Sequence, residues 1–87
     1  MTDESRIKII RNRLKQALIP HHLEVIDESK HHVGHAEYEG GGRHFAIIIA
    51  AKSLNGVSRV EAHRQIYALF NDMIPDQIHA LRIKVVS

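Results

Sequence analysis

Residues 45–50, Phe-Ala-Ile-Ile-Ile-Ala, form a continuous apolar run entered through Arg43 and His44 and left through the turn-forming Lys52-Ser-Leu-Asn-Gly56. Its shortness and its branched side chains predict a strand. Alternation sets Phe45, Ile47 and Ile49 on one face and His44, Ala46, Ile48 and Ala50 on the other. With both faces largely apolar, this strand belongs at the centre of a sheet rather than on an exposed edge.

The neighbouring segments supply the rest. Upstream, His22 to Asp27 holds Leu-Glu-Val-Ile, short, branched and partly alternating, and predicts a first strand. Before it, Asp3 and Glu4 precede Ile7, Ile10, Leu14, Ala17 and Leu18 at helical spacing, so a helix is expected from Asp3 to Leu18, closed by Pro20. Downstream, Ser58 and Glu61 make a capping box ahead of an apolar stripe of Ala62, Ile66, Leu69, Phe70 and Met73. That second helix should end near Met73, because Pro75 disfavours helical geometry just before it. The last segment, 78–86, alternates Leu81, Ile83 and Val85 with Arg82 and Lys84, predicting a third strand that begins at His79, on the apolar face.

The order helix, strand, strand, helix, strand fixes a topology. The first two strands are joined by one loop and should be antiparallel, and the third should return parallel to the second through a right-handed crossover. The result is an α+β fold, a three-stranded mixed sheet with its helices packed on one face. The loop, Ser29-Lys-His-His-Val-Gly-His-Ala-Glu-Tyr-Glu-Gly-Gly-Gly-Arg43, carries three of the eight histidines and a triple glycine. A loop this long in so small a domain is uncommon unless it serves function or is disordered. Connectivity brings His31, His32, His35, His44 and His79 to one end of the sheet. His63, early in the second helix, belongs at the other end.

Composition narrows the chemistry. A chain of 87 residues allows one small domain, 1–87. No apolar run approaches the roughly 20 residues of a membrane span. The polar N-terminus has no signal core, which predicts a cytoplasmic protein. There is no cysteine, and hence no thiolate ligand, thiol nucleophile or disulfide. Converging imidazoles without cysteine point to metal or proton chemistry, and His32-Val-Gly-His35 with His79 could hold zinc. For His44 and His63 local packing is the simpler reading. The densest basic patch is Arg6, Lys8, Arg11, Arg13 and Lys15, on the outer faces of the first helix. It reads as a solvated surface or, alternatively, as a phosphate-backbone contact. No nucleophile, base and orienting group emerge together, so no enzymatic activity is expected.

The motifs Leu23-Glu-Val-Ile-Asp-Glu-Ser29, His32-Val-Gly-His35, Gly42-Arg-His-Phe45, Asn55-Gly-Val-Ser-Arg-Val60 with His63-Arg64 and Tyr67, and Ile78-His-Ala-Leu81 follow one another in an order that resembles the BolA family from end to end. The resemblance implies a class II KH-like fold, α-β-β-α-(short α)-β. It also implies a partner, a monothiol glutaredoxin with bound glutathione, that shares a two-iron, two-sulfur cluster with the chain. His79 would be one ligand and His32 the best match for the second, with His35 as the alternative. Iron-sulfur clusters are usually held by thiolates. A chain without cysteine therefore depends on its partner for them, and its imidazoles fill the remaining positions. The expected role is iron-sulfur trafficking or iron-linked regulation.

Two further readings stand beside it. BolA-like proteins are also described as stress-response transcriptional regulators. DNA binding here would use Arg59, His63 and Arg64, with Lys8, Arg11 and Lys15, on the helix-turn-helix surface. A KH domain clamps the backbone with a Gly-x-x-Gly loop, but only Gly56 stands in Leu-Asn-Gly-Val. Ala62 also stands where the family carries arginine, and Leu54 where it carries phenylalanine. The other reading is a zinc-binding module that needs no partner. A homodimer is a further partner state left open.

Overall fold

The computed structural model describes residues 3–28 and 44–86. Two helices, α1 (Asp3–Leu18) and α2 (Arg59–Ala68), pack on a sheet of β1 (His22–Asp27), β2 (His44–Ala50) and β3 (Ala80–Val85). The strand order is β1-β2-β3. β1 runs antiparallel to β2, with Val25 opposite Ile47, and β3 runs parallel to β2, with Ile83 opposite Ile47. The all-apolar run is thus the central strand, as its two-sided pattern requires.

The core lies between the sheet and the helices. Phe45, Ile47 and Ile49 are at most 1% exposed, and so are Ile10 and Leu14 of α1 and Ile66 of α2. Fully burying side chains of this size stabilises the fold by roughly 1.5–3 kcal/mol each. α1 buries a face that continues through Arg6, four residues before Ile10, so Arg6 is buried instead of standing on an outer face. Ala17, expected in the apolar stripe, is exposed.

α1 ends as expected, though not through proline alone. Ile19 takes a φ of +47° and its N–H bonds the Lys15 carbonyl at 3.1 Å. A branched residue in that left-handed region is strained by about 1–3 kcal/mol. After β2, Lys52–Leu54 makes one 3-10 turn, and Gly56 reverses the chain at a φ of +78°, where a side chain would meet open space but the backbone would be strained. Ser58 then caps α2 by accepting the Glu61 N–H at 3.1 Å.

The second helix is shorter than its apolar stripe. It stops at Ala68, and residues 69–77 form consecutive turns that still bury Phe70 and Met73. The ladder tightens at the end of α2, where the Leu69 and Phe70 N–H groups bond Ile66 O and Tyr67 O, three residues back, at 3.1 and 3.0 Å. Arg13 of α1 donates to Leu69 O at 2.8 Å, while the Met73 N–H, which a continuing helix would direct there, bonds Phe70 O at 2.9 Å. Arg13 also lies 5.8 Å from the centre of the Phe70 ring and pairs with Asp72 through Nη1 and Nη2 at 2.6 and 2.9 Å. The short turn implied before the third strand is this stretch, and β3 itself begins at Ala80, one residue after His79.

Candidate functional site

Parallel pairing of β2 and β3 sets their first residues, His44 and Ala80, side by side. His79 occupies the bend just ahead of β3, outside the alternation of that strand. Its ring meets the ring of His44 edge-on, with centroids 5.9 Å apart and planes at 88°. Two imidazoles 35 positions apart in the chain therefore share one end of the sheet. His79 is exposed and His44 half-buried.

The same end anchors the histidine-bearing segment. The Glu28 N–H bonds His44 O at 2.9 Å, so the chain leaves the end of β1 and re-enters at the start of β2 at one place. Across it, Arg82 grips Glu28 with both guanidinium branches, Nε at 3.1 Å from one carboxylate oxygen and Nη2 on the other. This link joins the two outer strands over β2, and hydrogen bonding to Glu28 raises the Arg82 pKa. His31, His32 and His35 lie outside the described residues. Among the described residues, no group of three or more His, Cys, Asp or Glu side chains could hold a metal ion.

Tyr67 of α2 sets the height of β3. Its hydroxyl donates to Leu81 O at 2.7 Å and accepts from Leu81 N at 3.2 Å. This clamp fixes the residue two positions after His79 and satisfies an outward-facing peptide group of the strand. Its signal in the sequence was only the tyrosine at the end of the helical motif.

The basic residues divide differently. At the far end of β3, Arg59, His63 and Lys84 line a cleft of about 460 Å³ with Val57, Ala62, Ile83 and Val85. Lys84 was missed as a site residue; its alternation with Arg82 showed only that it faces away from the core. Arg64, expected beside Arg59, instead reaches back to Glu61 at 3.3 Å. Lys8, Arg11 and Lys15 of α1 do not line this cleft.

Comparison with known proteins places the arrangement. The SufE-like protein 1 of Arabidopsis thaliana chloroplasts and mitochondria is 40% identical over 84 residues, covering 91% of this chain and 23% of that protein. The solved BolA domain of SufE1 from the same plant superposes with a TM-score of 0.80 at 39% identity, covering 93% of this chain and 90% of that one. BolA-like protein 1 of Bos taurus is 35% identical, covering 86% of this chain and 53% of that protein, so the chain spans about half the length of that relative. The DNA-binding transcriptional regulator BolA of Haemophilus influenzae is 30% identical, covering 92% of this chain and 75% of that protein. A family model described as BolA-like protein matches residues 14–87. By fold, by motif order and by these matches, the chain belongs to the BolA-like family.

Proposed function

We propose that this chain acts as a binding partner, not an enzyme, and supplies histidine ligands to a two-iron, two-sulfur cluster shared with a monothiol glutaredoxin and its glutathione. The observation that carries this reading is the exposed His79 ring, held against His44 at the end of the sheet where the segment bearing His32 and His35 begins and returns. The donor set suits a contributing partner. With no cysteine, the chain offers imidazole alone, and thiolates must come from the other protein. When bound, such a cluster provides an electron-transfer centre that histidine ligation moves to higher potential. His79 serves as one ligand and His32, or else His35, as the second. Tyr67 and the Arg82–Glu28 link hold the strand ends beside His79 in place.

The test is reconstitution of the cluster on a mixture of the purified chain and a monothiol glutaredoxin, read by visible circular dichroism. His79→Ala should change or abolish the heterodimer spectrum while its far-ultraviolet spectrum stays native, and an unchanged visible spectrum would reject His79 as a ligand. The same measurement on His32→Ala and His35→Ala assigns the second position.

A second reading, nucleic-acid binding, draws support from the name of the Haemophilus influenzae relative and from the exposed Lys8, Lys15 and Arg59. Phosphate contacts of this kind weaken steeply with salt. Retardation of duplex DNA should then appear at low salt and vanish at high salt, and none at low salt would eliminate the reading.

A further inference from the structure

Among the described residues β3 is an edge strand, and only part of its outer edge is occupied. The Val86 N–H bonds Ile49 O at 2.8 Å, so in the parallel ladder the even-numbered residues of β3 bond β2 and the odd-numbered ones face away. The outward groups of Leu81 are taken by Tyr67. Those of Ile83 and Val85 have no hydrogen-bond partner among the described residues. The cleft lined by Val57, Ala62, Arg59 and His63 opens beside these same two residues. An exposed edge of this kind is a template for another strand.

Charge selects the occupant. Arg59, His63 and Lys84 line the cleft, no carboxylate does, and none of the three forms an ion pair among the described residues. A second copy of this chain, docked edge to edge, would bring the same positive charges against each other. An extended acidic segment meets them with complementary charge and meets the free peptide groups with its own. Its alternate apolar side chains fit between Val57, Ala62 and Val85, the geometry of strand addition with pockets for every second residue.

We infer that the edge of β3 from Ile83 to Val85 is a docking site for an extended acidic peptide segment of a partner protein, added as a fourth strand beside α2. The site lies at the opposite end of β3 from His79 and does not depend on the cluster reading.

The test uses a blocked peptide of alternating valine and glutamate added to isotope-labelled full-length chain, followed by amide chemical shifts. The Ile83 and Val85 amides should shift most, and Arg59→Glu with Lys84→Glu should weaken binding about tenfold or more, as reversing charges at a complementary interface does. Far-ultraviolet circular dichroism checks that this variant is folded, and a peptide with lysine in place of glutamate should not bind. The decisive control is the same peptide methylated on its backbone nitrogens. Equal affinity for that form would overturn strand addition, as would shifts that map to β1. A single-stranded oligonucleotide of equal charge that binds more tightly at these amides would show a phosphate site in its place, and would also overturn the inference.

Discussion

At its start β3 is tied down on every side, while at its end it is not. Near His79, Tyr67 satisfies both outward groups of Leu81, Arg82 joins Glu28, and Arg13 closes the turns that deliver the strand. Near Lys84, the outward N–H and C=O groups of Ile83 and Val85 and the two cations Arg59 and Lys84 stand without partners among the described residues. The contrast matches what each end is proposed to bind. A ligand ring must be held in position by fixed neighbours before it can complete a coordination sphere. A charged edge that receives a peptide keeps its donors and acceptors free until the peptide arrives. The clamped end should thus be sensitive to substitutions that leave the open end intact.

The largest break in this contrast comes from Phe70→Ala. Phe70 is fully buried in the turns between α2 and β3 and stacks under Arg13. Truncation should cost about 3–5 kcal/mol, the range for a core phenylalanine, measured as a lower urea midpoint. In a domain this small that is a large share of the total stability. A loss under about 1 kcal/mol would mean that the turns repack freely and that the clamped end is less rigid than its contacts imply.

Tyr67→Phe is a finer cut. It removes a hydroxyl and strands the outward N–H and C=O of Leu81, at a cost of about 1–3 kcal/mol for unsatisfied, part-buried groups. Hydrogen exchange should accelerate at Leu81 and leave the α2 cap at Ser58 unchanged. Cluster assembly with a glutaredoxin should also weaken, because the strand that carries His79 forward loses its stop. Equal acceleration at both ends would show that the domain opens as one unit and that the contrast has no dynamic counterpart.

How far these ends could be read from the sequence follows from the range of the contacts that make them. The strand pattern of 45–50, the capping box and the alternation of β3 are local, and the connectivity rules then carried His79 to His44 without any coordinates. The failures are tertiary. Phe70 and Met73 continue the helical spacing of α2, yet the helix stops at Ala68 and gives way to turns, in which Arg13, from 56 positions away, holds the Leu69 carbonyl. The dense basic patch of α1 is dismantled in the same manner: Arg6 is drawn into the core and Arg13 into the turns. Charge density along a chain does not say which charges remain available. Lys8, Arg11 and Lys15 of α1 keep their charge without an ion pair among the described residues, and so do Arg59 and Lys84 of the cleft.

The smallest expected effect is electrostatic and carries a defined sign. Its hydrogen bond to Arg13 holds the Asp72 carboxyl below its ordinary range, and the same bond raises the Arg13 pKa. A carboxyl with a lower pKa in the folded state than in the unfolded one adds stability above its unfolded value, near 3.9, and that stability is lost as pH falls through the lower folded value. The Arg13 shift describes the same bond, and its own window lies at strongly basic pH. Because the carboxylate is two-thirds exposed, solvent and salt screen the pair, and its contribution is small beside those of Phe70 and Tyr67. Asp72→Asn should therefore lower the thermal midpoint slightly at neutral pH, and the difference from the parent should shrink with added salt and disappear in strong acid. Arg13 keeps Leu69 O and the Phe70 ring in that variant, so the end of α2 should stay in place. A difference that persists unchanged below pH 2 would assign the effect to side-chain packing and remove the charge from the clamp.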